Sequence, residues 1–328
     1  MNIYDIAEKA NVSIATVSRV INNNGYVGKK TKQKILEIIE NNHFKPSKTA
    51  QNLSSGTSFK LIGIICYNIE DQYYSKAVSI LEKELGSYGY DIILSCTGES
   101  REQRQKSVNM LIAKKADAII FIGSVFAGTS ESVIQNAAKY LPVFIINALV
   151  KGNNIHCAYC DESECIQECV KNLYQKGRKK ILFMYDVETY GSNMKLKGYK
   201  NAIKEYDLPF NDNFIIKCEP GVDSAANTFK TFTQKNSLDA VICTNDLTAV
   251  GVMKTAFEKG IKIPENLSVI GYNNSVIATC TQPSLTSLEN NVEKLAIFTA
   301  KNINSYCTEK NAITDFKTDF KLIIRETL

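Results

Sequence analysis

The sequence has no tryptophan and only two histidines, His43 and His156, in 328 residues. A catalytic triad or a metal site built on imidazole is therefore poorly supplied, which counts against most hydrolase chemistries. Long apolar runs are also missing. The most apolar stretches, Ala118–Ile122 and Leu141–Val150, fall well short of the roughly 18 residues a spanning helix needs. The N-terminal stretch carries Asp5 and Glu8 and no continuous apolar run before Ile14, so it does not resemble an export signal. No G-x-G-x-x-G follows an expected strand and no G-x-x-x-x-G-K-[ST] occurs, which removes the common phosphate-cradling loops. The expectation is a cytoplasmic protein with no membrane contact, no cofactor and no enzymatic activity. Its length suits two or three folded units.

Ten cysteines are present: Cys66, Cys96, Cys157, Cys160, Cys165, Cys169, Cys218, Cys243, Cys280 and Cys307. In a large cytosolic chain they are expected to stay reduced. Cys157-x-x-Cys160 and Cys165-x-x-x-Cys169 lie beside His156, but the spacing fits none of the paired zinc patterns. No metal is assigned. These cysteines read as small apolar side chains at a strand end and on one helix face.

The charge is uneven. Residues 1–58 hold eight basic against four acidic residues, a net of +4, whereas the other 270 hold 31 against 30, a net of +1. A basic head on a neutral body points to a polyanionic partner. Ile3, Ile6, Ala7 and Ala10 repeat at helical spacing, and Asn11-Val12-Ser13 breaks the run with a capping serine. A second helix follows from Ile14 to about Ile21, with Val17, Val20 and Ile21 on its apolar side. A polar stretch, Asn22–Gly28, leads to a third helix over Lys29–Asn41. Two short helices joined by a tight turn, with a third packed on both, is the helix-turn-helix arrangement. The outer side of the second helix carries small or hydroxyl residues and Arg19, a surface that can enter a major groove.

Residues 4–53, with Val12-Ser13-Ile14-Ala15-Thr16-Val17-Ser18-Arg19-Val20-Ile21-Asn22 and Ala50-Gln51-Asn52-Leu53, resemble the head of the LacI/GalR family of bacterial repressors. The resemblance continues through Gly251, Pro264, Ser268-Val269-Ile270-Gly271-Tyr272 and Pro283-Ser284-Leu285-Thr286-Ser287. It implies a helix-turn-helix domain over 1–46, a hinge helix and linker over 47–58, and an effector-binding and dimerisation domain over 59–328. The body itself alternates apolar runs and amphipathic helices: Leu61–Cys66, Lys76–Tyr88, Tyr90–Ser95, Gln103–Lys114, Ala118–Ile122 and Val143–Ile146, then Lys180–Tyr185, Lys197–Glu205, Ala240–Thr244, Asp246–Lys259 and Ser268–Tyr272. Such alternation predicts doubly wound α/β lobes with ligands beyond the carboxyl ends of the strands. The resemblance makes this a two-lobed, periplasmic-binding-protein-like fold of type I. Its lobes would be about 59–158 with 290–319, and about 159–289 with 320–328. The family's tetramerising zipper is not seen after Leu322-Ile323-Ile324-Arg325-Glu326, as in dimeric members.

Several site residues follow. Arg19 is the best base reader by type, since a guanidinium can bond guanine O6 and N7 together. By resemblance, Ile14 and Ala15 hold the specificity positions, where apolar groups can meet thymine methyls. Tyr4, Ser13, Thr16, Ser18, Asn22, Tyr26 and Thr31 match phosphate contacts, and Leu53, with Ala50 before it, matches the minor-groove wedge. Ser47–Leu53 is too short to hold as an isolated helix, so it should order against its dimer mate on DNA. Cleft positions map onto Asn68, Asp71, Tyr73, Tyr74, Ser124, Asn147, Lys195, Asp223, Asn245 and Asn273, a set of amides, hydroxyls and carboxylates suited to sugar hydroxyls. Three departures stand out: Lys195 replaces an arginine, Asn273-Asn274 replaces Asp-Asp, and Asp223 falls where a stacking aromatic is frequent. The reading is a dimeric repressor of operator DNA controlled by a small polar effector, a carbohydrate first. The alternatives are a corepressor-type regulator answering to a nucleobase or nucleoside, and a sugar-binding or sugar-metabolising protein with a merely cationic head.

Overall fold

The computed structural model describes residues 2–21, 25–42, 60–128 and 130–328. The chain divides into two compact units, Met1–Phe59 and Lys60–Leu328. Among the described residues, no helix is long and apolar enough to cross a membrane.

The described residues of the first unit form three helices: α1 (Ile3–Ala10), α2 (Ile14–Ile21) and α3 (Lys29–Asn41). Asn2 caps α1 by accepting from Tyr4 N and Asp5 N, and the Asp5 carboxylate accepts from Asn2 N in return. Asn11 ends α1 in the left-handed region at φ 56°, a conformation asparagine tolerates better than most residues. Ser13 Oγ then accepts from Thr16 N at 3.2 Å, starting α2. Ile6, Ala7, Ala10, Val17, Val20 and Ile35 form one buried core. The Lys34 ammonium donates to the Ala10 carbonyl at 3.0 Å, tying α3 to the end of α1.

The second unit is built of two six-stranded sheets. Its elements are β1 (Leu61–Cys66), α4 (Gln72–Ser87), β2 (Asp91–Cys96), α5 (Arg101–Ala113), β3 (Ala118–Ile122), α6 (Glu131–Ala138), β4 (Val143–Ile146) and β5 (Ile155–Cys160). Then come α7 (Glu162–Gln175), β6 (Ile181–Tyr185), α8 (Tyr190–Glu205), β7 (Ile215–Lys217), α9 (Val222–Phe232), β8 (Ala240–Cys243), α10 (Asp246–Glu258), β9 (Ser268–Tyr272), α11 (Ile277–Cys280), β10 (Thr286–Glu289), α12 (Val292–Glu309), β11 (Phe316–Thr318) and β12 (Lys321–Ile323). The first sheet runs β11-β5-β4-β3-β1-β2 and the second β12-β10-β9-β8-β6-β7. All pairs are parallel except β10 with β12. The chain thus passes between sheets after β5, after β10 and after β11.

The central strands are continuous apolar runs because helices cover both their faces. β3, β4, β8 and β9 are buried throughout. On one face of the first sheet, Ala77, Leu81 and Leu85 of α4 pack in the same core as Leu295, Ala296, Ala300 and Ile303 of α12. In the second lobe, α7 and α8 approach so closely that a Cβ on Gly198 would collide with the Ser163 carbonyl. That contact accounts for the glycine before Tyr199, whose hydroxyl donates to the Ile181 carbonyl at 2.7 Å.

Two helices begin a turn or more earlier than the sequence pattern predicts. α4 starts at Gln72 and not Lys76 because Asp71 caps it, accepting from Tyr73 N at 2.8 Å. α8 starts at Tyr190 and not Lys197 because Thr189 and Ser192 form a reciprocal capping box. Both additions bring polar side chains to the carboxyl ends of strands. The clustered cysteines serve as core. Cys165 and Cys169 are buried with Ile166, Val170 and Leu173, and burial pushes the Cys157 thiol up to about 11, away from the thiolate that metals and oxidants need.

Candidate functional site

The head presents its candidate DNA surface on the side away from its core. Ile14 is 43% exposed at the first turn of α2 and does not join the buried cluster. Ala15 and Arg19 are exposed beside it, and Thr16 and Ser18 are half-buried. Tyr4, Ser13 and Tyr26 are exposed and Thr31 is half-buried. The Ser13 and Thr16 hydroxyls lie 2.9 Å apart at the start of α2, where main-chain N–H groups favour an anion. The Arg19 stem passes over Gly25. Asn22, Ala50 and Leu53, with the whole 47–58 hinge, lie outside the described residues.

In the body, the loops after β1, β3, β4, β6, β8 and β9 converge on a cleft between the two sheets. A cavity of about 100 Å³ there is lined by Asp71, Tyr73, Tyr74, Ser124, Asn147, Lys195, Asn245 and Asn273 from the sequence-derived set. Tyr73 and Asn273 also line a wider groove of about 430 Å³, with Gln72, Lys76 and Val276. Tyr74 meets Tyr73 edge-on at 5.6 Å between ring centroids and lies beside Tyr67 at 6.4 Å. Asn68 lies one step back, its Oδ1 accepting from Asp71 N at 3.2 Å. Asn147 and Asn273 both adopt positive φ, at 64° and 89°. Burial holds the Asp71 carboxyl above the ordinary aspartate value, and Asp186 raises it further.

At the base of the cleft is a buried polar knot. Glu162, the first residue of α7, is 6% exposed. Its Oε1 accepts from Asn147 Nδ2 at 2.9 Å, and its Oε2 accepts from the Tyr272 hydroxyl. Lys195 Nζ lies 3.4 Å from the same Oε2. It also donates to the Thr244 carbonyl at 3.3 Å and sits 3.7 Å from the Tyr272 ring centroid. Since Asn147 follows β4 and Glu162 opens α7, this knot joins the lobes. Other contacts also cross between them. Val276 N donates to Gln72 Oε1 at 3.2 Å. Gly191 meets Ser124 so closely that a Cβ on the glycine would overlap Ser124 Oγ.

One position is corrected. Asp223 does not enter the cleft. It lies in the first turn of α9 with its side chain 82% exposed, and accepts from Lys254 at 2.7 Å on the outer surface. Its partner on α10 holds it there. Among the cleft residues missed by sequence are Glu162, Asp186, Thr189 and Ser192. Asp186 accepts from Asn245 Nδ2 at 2.7 Å, while Asn245 Oδ1 caps α10 by accepting from Thr248 N. Asp186 directly follows the apolar strand β6, and position after a strand was the available signal. Asp246, 2% exposed, was also missed. Its carboxylate accepts from Ser275 N, Ser275 Oγ and Ser287 Oγ, fixing the loop that carries Asn273.

A helix-turn-helix head carried on a two-lobed binding body defines a DNA-binding transcriptional regulator. The sequence comparisons bear this out. Residues 60–320 match the family described as periplasmic binding proteins and sugar binding domain of the LacI family. Residues 2–47 match the bacterial regulatory proteins of the lacI family. The chain is 37% identical over 331 residues to an HTH-type transcriptional regulator of Lachnoclostridium phytofermentans, covering 100% of this chain and 99% of the relative. It is 30% identical to catabolite control protein A of Staphylococcus epidermidis, covering 88% and 87%. In fold it is similar to a Lac repressor dimer bound to operator and an anti-inducer, with a TM-score of 0.87, 20% identity and coverage of 100% and 98%. It is also similar to a CelR–cellobiose complex, with a TM-score of 0.73, 18% identity and coverage of 100% and 99%. The chain belongs to the LacI family of bacterial transcriptional regulators. It is a regulator and not an enzyme.

Proposed function

We propose that this regulator is a cytoplasmic homodimeric repressor whose operator affinity is set by a small polar effector, a carbohydrate first, bound between the lobes. The observation that carries the reading is a polar cavity lined from both lobes and bridged by the Asn147–Glu162 hydrogen bond. A ligand there senses the relative position of the lobes, and a change in that position is the means by which it reaches the DNA-binding head. In this reading Arg19, Ile14 and Ala15 face base edges. Tyr4, Ser13, Thr16, Ser18, Asn22, Tyr26 and Thr31 hold phosphates. Residues 47–58 form the hinge, with Ala50 and Leu53 at the minor groove. The cleft set is Asn68, Asp71, Tyr73, Tyr74, Ser124, Asn147, Lys195, Asn245 and Asn273, joined by Glu162 and Asp186. Two heads are needed because one recognition helix reads a single half-site.

Selection from a randomised duplex library with the full chain tests the DNA half of this reading. The expected result is a palindrome with a central pyrimidine–purine step, which is easily kinked. Binding without sequence preference that vanishes at moderate salt would reduce the head to a cationic patch. For the effector half, stabilisation by purines alone would overturn the carbohydrate assignment.

A further inference from the structure

The polar groups lining the inner cavity are unequal in kind. Three carboxylates, Asp71, Glu162 and Asp186, line it against one cation, Lys195. That ammonium is already engaged by Glu162 Oε2, the Thr244 carbonyl and the Tyr272 ring. Lys76 belongs to the wider outer groove. Helix N-termini are the other common means of holding an anion. Four α-helices put their caps or first residues into this cavity, and all four are closed by their own side chains. Asp71 caps α4, Asp161 caps α7, Thr189 caps α8 and Asn245 caps α10. Two of those caps are themselves carboxylates. A phosphate or carboxylate entering the cleft would meet three carboxylates, an ammonium already engaged and no α-helix N-terminus left uncapped.

Two polar atoms of residues that line the cavity lack partners. Asn147 turns its Nδ2 to Glu162, so its Oδ1 is directed away, and that oxygen has no hydrogen-bond partner among the described residues. Tyr73 Oη has none either. Both residues are 8% exposed and both line the cavity. A buried polar atom left unpaired is costly, so hydrogen bonds from a ligand to these two would be worth more than elsewhere in the cleft. Carboxylates and an amide oxygen only accept. A ligand that donates to these oxygens and accepts from Tyr73 fits the lining.

Resting on the reading of the cleft as the effector site, we propose that the effector is an uncharged or amine-bearing polyhydroxyl compound, and that sugar phosphates, uronates and other anions are rejected. Hydroxyls fit because each donates and accepts. An amine fits because it donates and neutralises excess negative charge between Asp71 and Asp186.

The test is thermal-shift screening of the full chain against one matched panel: neutral hexoses, pentoses and disaccharides, their 2-amino counterparts, hexose 6-phosphates and hexuronates. Only the neutral and amino members are expected to raise Tm. For the strongest of them, Asp186→Asn is expected to weaken binding by about tenfold or more. Asp71→Asn keeps a capping side chain and is expected to weaken it similarly, with its own Tm reporting that it folds. A 6-phosphate or uronate that stabilises the wild type and loses that effect in Tyr74→Ala would overturn the charge inference while leaving the cleft as the effector site. No stabilisation by any member would overturn the cleft reading and this inference with it.

Discussion

Replacing Lys195 with methionine removes the one ammonium at the base of the cleft and keeps a stem of similar length against Tyr272. Glu162 is then a carboxylate only 6% exposed, with no cation beside it. Removing one partner of a buried pair typically costs about 3–5 kcal/mol. Here Glu162 keeps two donors, the Tyr272 hydroxyl and the Asn147 amide, so a loss of about 2–3 kcal/mol is expected. For a body of this size, that is a Tm fall of about 4–12 °C. The assay is thermal melting followed by far-UV circular dichroism and by tyrosine fluorescence, which no tryptophan obscures in this chain. Adding Glu162→Gln to Lys195→Met should recover part of the loss, because the unpaired charge is gone while an acceptor remains for Tyr272. Lys195→Met melting within about one degree of the wild type, with no recovery in the double variant, would refute the buried pair as the junction between the lobes.

Other consequences can be checked on the same protein. Gly191→Ala places a methyl group where Ser124 now sits, so ligand affinity should fall through impaired closure, and Ser124→Gly in the same chain should recover only the part of the loss that its own missing hydroxyl does not cost; titration calorimetry reads both. Arg19→Ala should cost about 1–3 kcal/mol in operator affinity and relax preference at one base pair per half-site, as measured by competition with substituted duplexes. Asp71 is held above the ordinary 3.8 by burial and then by Asp186. The folded protein therefore holds this proton more tightly than the unfolded chain, and stability falls as pH rises through the range just above that value. Asp71→Asn should flatten part of that fall in melts taken across acidic pH, with buried Asp246, raised for the same first reason, supplying the remainder. An unchanged slope would mean Asp71 is not buried against Asp186.

The class of fold was legible because parallel strands covered on both faces leave unbroken apolar runs, as at Ala118–Ile122 and Ser268–Tyr272. The head was legible because its described helices are short and amphipathic, and Asn11 and Ser13 mark the break between the first two. Helix starts at the cleft were harder. Tyr73, Tyr74 and Ser75 carry no helical periodicity of their own, and only the Asp71 cap makes them the first turn of α4. Thr189-x-x-Ser192 closes α8 with a serine where the usual capping box has glutamate or glutamine, so the sequence pattern shows the helix only from Lys197. Glu162 was hidden because its role depends on Asn147, Lys195 and Tyr272, which come from three other elements. Asp223 misled for the opposite reason. A polar residue at the right distance along the chain looks like a cleft residue until Lys254, one helix away, takes its carboxylate.

In the proposed mechanism, occupancy of the cleft and affinity for DNA are linked, and linkage must be reciprocal. The direct measurement is a thermodynamic square on the full chain. Affinity for the selected duplex is measured with and without the sugar that stabilises the protein most, and affinity for that sugar is measured with and without the duplex. The expected result is one coupling factor found from both directions and abolished by Tyr74→Ala. Equal duplex affinity at zero and saturating sugar would contradict the claim, leaving a DNA-binding head and a sugar-binding body that do not communicate.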